Sequence, residues 1–355
     1  VICKHRRYLM YISQNYSYAI LRPLQEYILT QGGEVMWFLE GDEVDHSYLQ
    51  SHELELATVS DVVDWKPDAV FVPGNVVPSF IPGLKVAVFH GFNAGKINRR
   101  GRLDHFEIRG CFDLYCTQGP DTTVPFLELA KKYRYFDVVE TGWPTLDPLF
   151  TVEDSNPYID EADDRPTILM CSTFSRNLSC APILFEKVKE LSKRGNWRWL
   201  IQFHPKMPAT VVEQYKALQN ENLTFVETDN VLPLLKAADV MLCDTSSVLL
   251  MFLILKKPVV TFRNQDPAPY LLNVTRVEEV EAMLVNALQG RKEHCREIAK
   301  YASQIHPYSD GRSSARVIDA VSKVLDSEEK NRKNKPLNIV RNIKVRKKLN
   351  YWKFS

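Results

Sequence analysis

Three polar segments in this chain each follow a short apolar run, and they hold the side chains best suited to chemistry. In the first, Val240-Met241-Leu242 leads into Cys243-Asp244-Thr245-Ser246-Ser247, followed by an apolar stretch to Leu255 and then Val259-Val260-Thr261-Phe262. That order reads strand, polar turn, helix, strand. It puts Ser246 and Ser247 at a helix start, where free backbone N–H groups and the positive dipole end suit a phosphate. Asp244 and Thr245 share the turn, and simple helix capping would use the same residue types. The second segment, His204-Pro205-Lys206, closes Leu200-Ile201-Gln202-Phe203, where a donor or cation would neutralise charge developing on a leaving phosphate. The third, His90-Gly91, closes Val86-Ala87-Val88-Phe89. An imidazole takes up a proton near neutral pH, as an acceptor hydroxyl requires before it attacks phosphorus or carbon, so His90 is the candidate base. Gly91 would let the backbone turn beside it. A turn histidine held by a backbone carbonyl is the plainer reading of His90, and a capping histidine that of His204. Lys96, Arg99, Arg100 and Arg102 crowd the following loop, suited to an anionic acceptor or a diphosphate, or else to solvent.

The elements that must position these residues alternate between strand and helix. Strands are expected at 8–13, 35–39, 68–72, 86–90, 114–117 and 136–140, with a helix through 21–29. The acidic, proline-bounded stretch 151–166 interrupts this rhythm and marks a linker. A second series follows at 167–171, 199–203, 223–226, 240–243 and 259–262, closed by helices near 276–289, 292–304 and 312–327. The expectation is an α/β protein of two Rossmann-like domains facing a cleft, 1–150 and 151–328, with a tail at 329–355. Ligands in such sheets bind at the carboxyl ends of the strands, where all three polar segments fall.

Composition narrows the function classes. The chain has 355 residues, 45% hydrophobic and 25% charged, which suits globular domains and excludes disordered and fibrous classes. Its net charge of +1 hides an asymmetry. All 44 acidic residues lie at or before Glu329 and ten of the 45 basic ones lie beyond it, so residues 1–329 carry −9 and the tail +10. An acidic body argues against nucleic acid as a partner. The tail mixes cations with Leu, Ile, Val and aromatics, as segments at anionic membrane surfaces do, although a basic tail could equally dock on the acidic body. Seven scattered cysteines without a C-x-x-C pair are expected to be reduced and mostly buried. With no run of about 20 apolar residues and no signal-peptide pattern at the start, the expected location is cytoplasmic. The eight histidines lack metal-ligand spacing, and neither a G-x-S-x-G elbow nor a P-loop is present, so no metal and no cofactor are expected.

Taken in order, the motifs resemble those of the CDP-glycerol glycerophosphotransferase family, which builds teichoic acids and related polyol-phosphate polymers. The resemblance runs over roughly 86–320. It rests on His90-Gly91 with Lys96, Gly142-Trp143-Pro144-Thr145-Leu146-Asp147, and Ile168 through Arg176. It continues through His204-Pro205, Asp239 through Ser247, Lys257-Pro258 and Asp310-Gly311-Arg312. It implies a GT-B architecture, a CDP-polyol donor and a lipid-linked or saccharide acceptor, with CMP released as an acceptor hydroxyl attacks the β-phosphorus. His90 would then be the general base. His204, Ser246 and Ser247 would be diphosphate ligands, with Thr173, Arg176, Lys206, Asp244 and Thr245 on the donor side. Gly91, Lys96, Arg99 and Arg100 would face the acceptor. The implied location is the inner face of a bacterial cytoplasmic membrane. Two departures stand out. Leu250-Met251-Phe252 is apolar where the family carries an acid, and Lys96 is shifted by one place. A glycosyltransferase using a UDP- or CMP-sugar and a nucleotide-sugar epimerase would share the same plan. A non-catalytic, membrane-docked assembly partner is the reading from another class.

Overall fold

The structure is a computed structural model that describes residues 6–41, 43–92, 101, 103–151, 155–228, 230–327 and 333–353. The chain divides into two compact units, Val1–Thr151 with Ile305–Ser355, and Val152–Gln304. Each is built on one parallel six-stranded sheet.

In the first unit the strands are β1 (Arg7–Ile12), β2 (Glu34–Leu39), β3 (Ala69–Val72), β4 (Leu84–Ala87), β5 (Leu114–Thr117) and β6 (Asp137–Glu140). They lie in the order β2-β1-β3-β4-β5-β6. Strands buried on both faces by crossover helices read as continuous apolar runs, and β1 and β3 are of this kind. The chain leaves β1 toward one edge and β3 toward the other, so the topological switch point lies between them. The strand expected at 86–90 ends early because Phe89 has φ +62°, a left-handed backbone that no strand continues.

In the second unit, β7 (Thr167–Ser172), β8 (Arg198–Phe203), β9 (Leu223–Phe225), β10 (Val240–Cys243), β11 (Val259–Phe262) and β12 (Leu272–Val274) lie in the order β12-β11-β10-β7-β8-β9. That is the order of the dinucleotide-binding fold, with its switch point between β7 and β10. β12 is absent from the sequence reading, because Leu272-Asn273-Val274 is too short to show a period. Lys257 holds the entrance to β11: its ammonium donates to the carbonyls of Leu235, Lys236 and Ala238 at 3.2, 2.7 and 2.7 Å. Those groups end the helix Leu232–Ala237, where a cation complements the exposed carbonyls.

Residues 305–327 depart from the expected 151–328 domain, since they belong to the first unit. The helix Ser313–Asp326 buries Val317, Ile318 and Val321 in the same core as β1, β3 and the helix Tyr16–Thr30. Asp147 fixes its start by accepting the Ser313 and Ser314 N–H groups at 2.8 and 2.7 Å, which satisfies two donors that a helix N-terminus leaves free. Gly142, at φ +79°, is required beside this clamp, because a Cβ there would stand 2.5 Å from the Ser313 hydroxyl. The described part of the tail, 333–353, also sits on the first unit and includes the helix Ile339–Lys348.

Candidate functional site

In the second unit the site is built on the switch point, and Asp244 organises it. Asp244 follows β10 and is completely buried. Its carboxylate accepts the Ser172 hydroxyl at 2.6 Å, the Thr173 N–H at 3.1 Å and the Cys180 N–H at 3.0 Å. It thereby ties the loop after β7 to the end of β10. The donor-ligand role expected for Asp244 is corrected here: its oxygens are committed to the protein, which makes it a positioning residue. Thr245 is also engaged, accepting the Gln265 N–H at 3.2 Å. The helix that follows, Val248–Ile254, has only seven residues, and no side chain caps it at Ser247. The side-chain capping that these residue types also allowed is therefore not formed at Ser247. Ser246 is half-buried and Ser247 exposed at this turn.

His204 follows β8 directly and is exposed. Its Nδ1 lies 3.0 Å from the backbone N–H of Lys206. An amide N–H can only donate, so Nδ1 accepts and the neutral ring carries its hydrogen on Nε2. Burial, and then the Lys206 ammonium, pull the imidazole below its ordinary proton affinity. His204 therefore offers a neutral Nε2–H donor at pH 7. Phe174, 41% exposed, lies against it with ring centroids 4.5 Å apart, and the Lys206 ammonium is 5.9 Å from the Phe174 ring. Thr173, Phe174 and Arg176 all belong to the loop that Asp244 holds, and Arg176 is exposed on it. Phe174 was not singled out in the sequence, where an aromatic beside a strand reads as core. Only its exposure marks it as a flat apolar surface open to a ligand ring.

In the first unit His90 is exposed and pinned at the other switch point. Its Nδ1 stands 3.0 Å from the carbonyl of Pro73, which follows β3, and its ring lies 5.8 Å from that of Tyr16, which follows β1. A carbonyl can only accept, so Nδ1 carries the hydrogen and Nε2 keeps a free lone pair. This is the tautomer a general base needs, opposite to that of His204. The turn is made by Phe89 rather than by Gly91. Phe89 is held at φ +62° by its packing against His105 and Phe126, with centroids 5.1 and 5.3 Å away, whereas a Cβ at Gly91 would meet nothing within 4 Å. A bulky residue in the left-handed region costs about 1–3 kcal/mol and persists only where its surroundings impose it. The Gly91 carbonyl accepts from Gln118 Nε2 at 2.9 Å, which holds the backbone next to His90. The expected acceptor cations Lys96, Arg99 and Arg100, with Arg102, lie outside the described residues.

Residues 133–322, more than half of the chain, match the UDP-N-acetylglucosamine 2-epimerase family. The chain belongs to that family. No curated protein matches its sequence. Among solved structures it is similar to MnaA of S. aureus bound to UDP, with 17% identity, a TM-score of 0.60, and 90% of this chain and 97% of that one covered. A second UDP-N-acetylglucosamine 2-epimerase is similar at 16% identity and a TM-score of 0.60, covering 94% and 99%. The wall teichoic acid polymerase TagF is similar at 16% identity and a TM-score of 0.62, covering 90% and 88%. These likenesses give the chain the GT-B fold expected from its motifs.

The Asp310-Gly311-Arg312 motif serves the first unit. Asp310 pairs with Arg316, and Gly311 packs against Thr151 and the Asp147 carbonyl. His306, upstream of it, is 3% exposed and accepts the Trp143 N–H on Nε2 at 3.0 Å. Burial pushes its pKa down to about 4. A histidine depressed in this way is neutral in the folded protein but binds a proton in the unfolded chain anywhere below its ordinary value of about 6.5. Stability therefore rises with pH between about 4 and 6.5 and is lost on acidification through that window. The span corresponds to roughly 3 kcal/mol. Urea melts of the wild type at a series of pH values should show this slope, and His306→Gln should flatten it.

Among the described residues, Cys111, Cys116, Cys171, Cys180 and Cys243 are buried, Cys295 is exposed, and all six are free. Burial, followed by the neighbouring Asp244, pushes the Cys171 thiol up to about 12 and raises those of Cys180 and Cys243 well above their ordinary value, so these three are inert thiols.

Proposed function

We propose that this protein transfers a polyol phosphate from a CDP-activated donor to a hydroxyl of a lipid-linked or saccharide acceptor. The opposed tautomers of its two switch-point histidines carry this reading. His90 offers a lone pair on Nε2 to take the acceptor's proton, and His204 offers a neutral Nε2–H to a phosphate oxygen. The acceptor oxygen forms its bond to the β-phosphorus as the bond from that phosphorus to the bridging oxygen breaks. CMP leaves and the hydroxyl proton passes to His90. Phe174 on the loop fixed by Asp244, Lys206 after β8, and Ser246 and Ser247 after β10 would serve the donor. The likeness to TagF supports a polyol-phosphate donor. Family membership supports a second reading, 2-epimerisation of a UDP-N-acetylamino sugar, which would use the same diphosphate-binding unit without an acceptor.

The test is to incubate the protein with CDP-glycerol, CDP-ribitol and UDP-N-acetylglucosamine, with and without a hydroxyl acceptor. Acceptor-dependent CMP release supports phosphotransfer. Interconversion of the UDP-sugar without acceptor overturns that in favour of epimerisation. His204→Ala should raise the donor KM and lower kcat by about 100-fold or more, as loss of a donor to developing charge does.

A further inference from the structure

The helix Ile339–Lys348 has two faces with different fates. One is fastened to the first unit. Asn338 Nδ2 donates to the Arg109 carbonyl at 3.2 Å, Arg341 Nη1 donates to the same carbonyl at 2.5 Å, and Arg346 lies 4.4 Å over the Phe80 ring. Lys348 pairs with Glu40 at 2.9 Å, and Tyr351, buried, stacks on Phe80 with centroids 5.2 Å apart. The segment therefore has a fixed orientation.

The side chains at 339, 340, 343, 344 and 347 take no part in those contacts and lie within one arc of the helix, with the long Arg346 side chain reaching from the edge of that arc to Phe80. Leu337, Ile339, Val340 and Ile343 are 76%, 61%, 69% and 52% exposed, and Trp352 beyond the helix is 50% exposed. Lys344, Lys347 and Lys353 are exposed among them. No acidic residue occurs beyond Glu329. Water is a poor solvent for such a cluster, and a protein groove would have to be both apolar and free of cations. A bilayer of anionic lipid supplies both requirements, acyl chains for the branched side chains and phosphates for the lysines, with Trp suited to the boundary between them.

We propose that this outward face is an interfacial docking element for an anionic lipid surface, with Leu337, Ile339, Val340 and Ile343 entering the acyl boundary and Lys344 and Lys347 at the headgroups. No helix among the described residues is long and apolar enough to cross a membrane. Arg109, whose carbonyl holds the helix, also lines the small cavity beside Phe89. Attachment would hold the first unit, which carries His90, at the lipid surface. On the phosphotransferase reading this would favour a lipid-linked acceptor, but docking itself does not depend on that reading.

The full chain should co-sediment with phosphatidylcholine vesicles containing about 30% phosphatidylglycerol, not with phosphatidylcholine alone, and should be released by about 0.5 M salt. Lys344→Glu with Lys347→Glu is expected to weaken binding about tenfold or more. Ile339→Ser with Ile343→Ser should do the same by removing apolar burial. Both variants should melt with the wild type, since the side chains are exposed. Equal binding to neutral vesicles, or none to anionic ones, overturns the proposal. So does a wild-type dimer that Ile339→Ser with Ile343→Ser dissolves while vesicle binding is undiminished, which would assign the face to a second copy of the chain. None of these readouts requires turnover, so failure here is distinct from failure of the proposed activity.

Discussion

His90→Ala is expected to lower acceptor-dependent turnover by about 100- to 10,000-fold, the usual contribution of a positioned base. Stability should hold within about 0.5 kcal/mol, because the side chain is exposed and makes one hydrogen bond, to the Pro73 carbonyl. Donor binding, followed by any thermal shift that a CDP-polyol produces in the wild type, should survive, since the groups proposed to hold the donor lie in the other unit. Added imidazole should recover part of the activity, because the removed ring leaves an exposed space. Full turnover in His90→Ala would return the residue to a turn histidine held by a backbone carbonyl, and the phosphotransferase reading would lose its base.

Asp244→Ala should act through stability first. The substitution strands the Thr173 and Cys180 N–H groups around a buried position and leaves the Ser172 hydroxyl only its Ser179 partner at 2.8 Å. Unsatisfied buried donors cost about 1–3 kcal/mol each, so a loss of about 3–5 kcal/mol is expected after partial relaxation. Asp244→Asn should fall between the two, because its amide presents one acceptor and one donor to three donors. Denaturant melts followed by tryptophan fluorescence, to which the buried Trp197 and Trp199 of this unit contribute, check the loss. Loss of donor binding should accompany loss of stability, since the loop carrying Thr173, Phe174 and Arg176 is held by the same carboxylate. A change below about 1 kcal/mol would show that the loop is fixed by other contacts.

The two sheets were legible in the sequence because parallel strands buried on both faces leave unbroken apolar runs between polar turns, as Val240–Cys243 and Thr167–Ser172 do. The exceptions have local causes. Leu272–Val274 is too short to show a pattern, and the strand at Val86 stops early because the packing of Phe89, which no local propensity reports, turns its backbone left-handed. The return of 305–326 to the first unit was not legible either. An amphipathic helix such as Ser313–Asp326 shows that it has an apolar stripe, not which sheet the stripe will meet.

Residue types and spacing by themselves determined that polar groups capable of acid–base and phosphate chemistry stand at the carboxyl ends of parallel strands. Strand order, which places those ends at the switch points, was decided only by the tertiary structure, because parallel pairing joins segments far apart in the chain. So were the roles within the site. Asp244 reads as a ligand in sequence and becomes a buried anchor because Ser172, Thr173 and Cys180 converge on it. His90 and His204 are chemically identical until a carbonyl at one and an amide N–H at the other fix opposite tautomers, with an Nε2 lone pair in one unit and an Nε2–H in the other.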